Sequence, residues 1–86
     1  MEIEFWPEHG SGPLWHEGAA LDLAPLVGPD LAERLVRWNA QFSDDKLPID
    51  TGGDGQWLAE GNELLRRVRL ALEGRHTVVV TEPWWS

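Results

Sequence analysis

"LPIDTGGDG", residues 47–55, admits three readings, and each implies a different fold around it. An Asp-Thr-Gly behind an apolar residue matches the active-site turn of retroviral-type aspartic proteases, which would make the chain nearly all strand. The same run also matches part of a calcium loop. The third reading is a solvated connection between two helices.

The flanks choose among them. An aspartic protease turn works because two aspartates face each other and share one proton. A chain this short would supply one per copy of a homodimer, from a turn set between strands. Upstream of Asp50, however, Leu31, Leu35, Trp38 and Phe42 recur at i, i+4, i+7 and i+11, the stripe of an amphipathic helix. That helix opens at Gly28-Pro29-Asp30, with Pro at the first helical position and Asp30 and Glu33 facing the positive end of the dipole, and should run to about Ser43. Downstream, Trp57, Gly61, Leu64, Leu65, Val68 and Leu72 form a second stripe from about Gln56 to Glu73, with Asp54 as N-cap and Gly74 just past the end. Asp50 therefore lies between helices, and the protease reading fails.

The calcium reading fails on ligands. With Asp50 at position one, Asp54 and Gly55 fall at five and six as a calcium loop requires. Position three is then Gly52, without a side-chain oxygen, and position twelve is Gly61, where a bidentate carboxylate is needed. Residues 44–55 are thus expected to be a polar loop whose glycines absorb turns and whose Asp54 caps a helix.

Outside the helices the period changes to two. Ile3 and Phe5 alternate with Glu2, Glu4 and Trp6, and after "PEHGSGP" a short return strand "LWHE" completes a hairpin. Residues 18–28, broken by Pro25, read as an extended connection. "HTVVVTE" is a last strand, and Pro83 separates it from the tail "PWWS". The expected fold is α+β: one domain over residues 1–86, a single small antiparallel sheet in ββααβ order, covered on one face by a helical hairpin.

Composition narrows the chemistry. The net charge of −8 repels nucleic acid and anionic membranes and favours basic protein partners. No apolar run reaches the ~20 residues of a membrane span, the start has no secretory pattern, and a cytoplasmic location is expected. Without cysteine there is no disulfide, thiolate zinc site or thiol nucleophile. His9 and His16 flank the hairpin turn without a matching ligand set, and Glu2 and Glu4 share a strand face with no pocket around them. No phosphate-binding or nucleophile-elbow motif is present. Arg66, Arg67, Arg69 and Arg75 sit where a helix C-terminus and an acidic loop need compensation, and they lack aromatic interleaving. No catalytic residue, metal site or cofactor is expected.

Six tryptophans remain. Trp38 and Trp57 lie on helical stripes and belong to the core, with Gly61 making room for Trp38. Trp6, Trp15, Trp84 and Trp85 fall on the outer strand face or near sheet ends, where tryptophan is the residue most enriched at binding hot spots. Two indoles at a terminus are an aggregation liability in water, so at least one should fold back.

"PLW", "LAERLVRWNAQF", "WLAEGNEL" and the closing valine strand resemble a family of small acidic actinobacterial proteins with paired helices. The likeness spans about residues 13–82, implies the same fold, and carries no activity or functional residues across. The reading is a non-enzymatic interaction domain that meets a protein partner, or a second copy, through Trp6, Trp15, Trp84 and Trp85. An immunity-type antagonist of a basic toxin or enzyme is one alternative. A small-ligand protein or enzyme accessory subunit is another, favoured by a deep pocket lined by Trp6, His9, His16 and Glu17.

Overall fold

Alternation builds the first strand as expected. In the computed structural model, which describes residues 1–49 and 52–86, β1 (Glu2–Phe5) buries Ile3 and Phe5 and turns Glu2 and Glu4 away. Asp50 and Thr51, and with them two residues of the protease-like triplet and the first calcium position, lie outside the described residues. β2 (Leu14–His16) pairs antiparallel to β1, with Glu4 opposite Trp15 and Phe5 opposite Leu14. β3 (Ala19–Ala20) pairs with β2 through a two-residue turn at Glu17 and Gly18, both at positive φ, the geometry that follows strand twist. β4 (Thr77–Val79) lies beside β1, Ile3 opposite Val78, giving the order β3-β2-β1-β4. The α+β reading with a helical hairpin holds. The sheet is mixed, because β4 runs parallel to β1 while the other pairs are antiparallel.

The connection after β3 is not extended throughout. α1 (Ala24–Val27) is a single helical turn that takes Pro25 into its start, where no N–H donor is needed. α2 (Pro29–Ala40) stops about a turn short of Ser43. The N–H groups of Gln41 and Phe42 bond the carbonyls of Trp38 and Asn39, three residues back, so the helix ends by tightening. A 3₁₀ turn at Asp44–Lys46 follows. α3 (Gly55–Leu72) begins as its sequence indicates, Asp54 accepting the Trp57 N–H at 3.0 Å. It buries the whole expected stripe: Trp57, Gly61, Leu64, Leu65, Val68 and Leu72.

The core lies between α2, α3 and the inner sheet face of Ile3, Phe5, Leu14 and Val78. At its centre the rings of Trp38 and Trp57 stack 4.4 Å apart. Each indole N–H donates to the other residue's backbone carbonyl, at 2.9 and 3.1 Å, so both buried donors are satisfied within the pair.

Candidate functional site

Of the four tryptophans expected at a contact surface, the structure leaves two accessible. Trp85 is in the core. It packs at steep angles against Phe5, Trp38 and Trp57, with centroids 5.5, 5.6 and 5.9 Å away. Its seat is Gly61: an added Cβ there would overlap the Trp38 ring and stand 2.7 Å from the Trp85 ring. Trp15 is on the outer sheet face but only 6% exposed, because Trp6 lies flat over it at 4.0 Å and Gly12 closes over its edge. A side chain at Gly12 would have its Cβ 2.8 Å from that ring, at a backbone φ of +91°. Trp6 and Trp84 are half-buried, and both face one groove.

That groove encloses about 550 Å³ and is made by three segments far apart in the chain. Trp6, Pro7 and Glu8 leave β1 and form one wall; Phe42, Leu47 and Ile49 from the interhelix loop form another; Thr81, Glu82, Trp84 and Trp85 form the third. Two asparagines hold the walls. Asn39, buried on α2, donates to the carbonyls of Glu8 and Ser11 at 3.0 and 2.7 Å and accepts the Glu8 N–H at 3.1 Å. Asn62 on α3 donates to the Trp84 carbonyl at 3.0 Å and accepts the Ser86 N–H at 2.9 Å. Pattern reading passed over both. The signal present was a poor helix former beside a core position in each helix, Asn39 after Trp38 and Asn62 after Gly61.

The lining is mostly apolar, and its charged residues among those described, Glu8 and Glu82, are both acidic. Ile49 is 63% exposed, an unusual position for a large aliphatic side chain on an otherwise polar loop. Among the described residues, the indole N–H groups of Trp84 and Trp85 are buried without a hydrogen-bond partner. A stranded buried donor typically costs about 1–3 kcal/mol.

The remaining candidates are dispersed. The His16 ring bonds the Glu2 carbonyl at 2.9 Å, and His9 packs on Phe42 at 4.9 Å, so neither they nor Glu17 line the groove with Trp6. No cluster of three or more metal-ligating side chains occurs among the described residues. Lys46 pairs with Asp54 at 3.2 Å. The Trp57 N–H, and after it Lys46, hold the Asp54 carboxyl below its ordinary range. Arg66 and Arg67 both grip Glu63, at 2.7 and 3.0 Å, and the Arg66 hydrogen bond leads in drawing its pKa down to about 2. Arg69 bonds the Val78 carbonyl, and Arg75 those of Leu26 and Ala71, so these arginines act on backbone acceptors near the end of α3. Among the described residues no helix is long and apolar enough to cross a membrane.

No protein-family model, curated protein or solved structure matches the chain.

Proposed function

We propose that the chain is a non-enzymatic protein-interaction domain and that its contact surface is the groove between Trp6 and Trp84. One observation carries the reading: two half-buried indoles and the exposed Ile49 line a concave apolar surface that the domain's own core does not fill. Exposed apolar concavities of this kind mark partner sites, and tryptophan supplies large rigid contact area at little entropic cost. Relative to the sequence reading, the surface moves from the sheet face to the groove, with Trp15 and Trp85 as supports behind it. The acidic balance favours, as a second reading, an antagonist that neutralises a basic toxin or enzyme.

Affinity capture from extracts of the source organism tests the proposal when wild type is run beside Trp84→Ala and Trp6→Ala. A partner retained by wild type and lost by both variants, each folded by circular dichroism, supports the groove. A partner retained equally by all three places the contact elsewhere.

A further inference from the structure

The groove's lining also says what should occupy it. Resting on the reading of the groove as the docking surface, we infer that its occupant is an arginine-bearing peptide segment of a partner protein.

Charge gives the first argument. Among the described residues, the two ionisable groups lining the groove, Glu8 and Glu82, are carboxylates, on a chain of net charge −8. Lys46, next to the lining residue Leu47, is committed to Asp54. An anionic segment would meet uncompensated repulsion, whereas a cation finds two partners.

Ring chemistry gives the second. Trp6, Phe42 and Trp84 line the same space as those carboxylates. A guanidinium stacks on an indole and forms a bidentate pair with a carboxylate, which an ammonium does less well. The aliphatic stem of arginine suits the flank formed by Leu47 and Ile49.

Size and hydrogen bonding argue for a peptide over a free ion. About 550 Å³ lies within the ~300–1,000 Å³ typical of ligand pockets and exceeds what one small cation fills. On the tail wall, the half-buried Trp84 holds its indole donor without an acceptor. A ring rotation that exposes it lets it meet a peptide carbonyl, an acceptor that a bare ammonium ion lacks.

Calorimetric titration of the full chain with three blocked pentapeptides tests this. They share one sequence but carry two arginines, two citrullines or two glutamates. The arginine peptide should bind, the citrulline peptide about tenfold more weakly, and the glutamate peptide not at all. The Glu8→Gln/Glu82→Gln double variant should lose about tenfold for the arginine peptide and most of its salt dependence, and Trp84→Ala should abolish binding.

Other outcomes overturn the inference in distinguishable ways. Equal binding of the arginine and citrulline peptides, still lost in Trp84→Ala, ends the cation assignment and leaves the groove as a docking site. Tetramethylammonium binding as tightly as the arginine peptide makes the occupant a small cation. Concentration-dependent dimers in light scattering that the double glutamine variant dissolves make it a second copy. Arginine-peptide binding unchanged in Trp84→Ala, or no binding by any peptide, removes both the inference and the groove.

Discussion

The molecule contains two stacked indole pairs, and they are finished differently. Trp38 and Trp57 stack at 4.4 Å between the helices, and each N–H donates to the other's carbonyl, closing a ring of hydrogen bonds. Trp6 and Trp15 stack at 4.0 Å on the outer sheet face, but only one of their two N–H bonds stays within the pair. Trp15 donates to the Trp6 carbonyl at 2.9 Å, and Trp6 donates to the Glu4 carboxylate at 3.2 Å. The inner pair satisfies itself and turns all its area to the core. The outer pair seals the sheet while leaving Trp6 half-exposed along the groove. Ring stacking alone therefore does not separate a tryptophan enclosed in the core from one that borders a groove. What each N–H reaches, and what lies beyond the ring, does.

The largest effect that would sharpen this contrast is removal of an inner indole. Trp38→Ala should cost about 3–5 kcal/mol, lowering the melting temperature by roughly 15–30 °C in a domain of this size. A loss within a few degrees of that caused by Trp6→Ala would erase the distinction between the pairs.

Gly61→Ala pits two effects against each other. Alanine is favoured over glycine inside a helix by about 1 kcal/mol. The added Cβ overlaps the Trp38 ring and stands 2.7 Å from that of Trp85, and overpacking typically costs about 1–3 kcal/mol. Net destabilisation is expected in urea unfolding, with near-ultraviolet circular dichroism changed as the indoles shift. A stabilised Gly61→Ala variant would show that the indoles yield freely.

Asn39→Ala leaves the Glu8 N–H and the carbonyls of Glu8 and Ser11 without their side-chain partner. A loss of about 1–3 kcal/mol is expected, with faster amide exchange along residues 8–11. Unchanged exchange there would mean that the groove wall stands without its clamp.

The smallest effect is the dependence on pH at Glu63. Its folded-state pKa is drawn from the ordinary 4.5 to about 2, chiefly by Arg66, so the interaction is present above the unfolded value and fades as pH falls toward 2. Glu63→Gln should therefore be slightly less stable than wild type at pH 7, with the gap closing between pH 4.5 and 2. This pair is exposed, so salt should shrink the gap at pH 7.

How much of this was legible follows from distance along the chain. Both helices, the Asp54 cap and the inner strand face were readable because period, cap and dipole are local properties. The single turn of α1 was missed because Pro25 reads as a break, although a helix start tolerates it. The parallel pairing of β4 depends on the path of α3 across the sheet, which periodicity does not encode. Gly61 was readable as space for Trp38, and the expectation that one tail indole folds back was met by Trp85. The groove itself was invisible in sequence. Its walls meet only after folding, and the two asparagines that hold them look like ordinary polar residues until their backbone partners arrive.

On the proposed reading, neighbouring tryptophans have opposite roles, Trp85 holding the fold and Trp84 lining the groove proposed for docking. Parallel urea unfolding of Trp84→Ala and Trp85→Ala tests it most directly. Trp85→Ala should lose about 3–5 kcal/mol, and Trp84→Ala less than half as much, keeping a cooperative transition near the wild-type midpoint. Equal losses, or the larger one from Trp84→Ala, would contradict the division of labour and return Trp84 to the core.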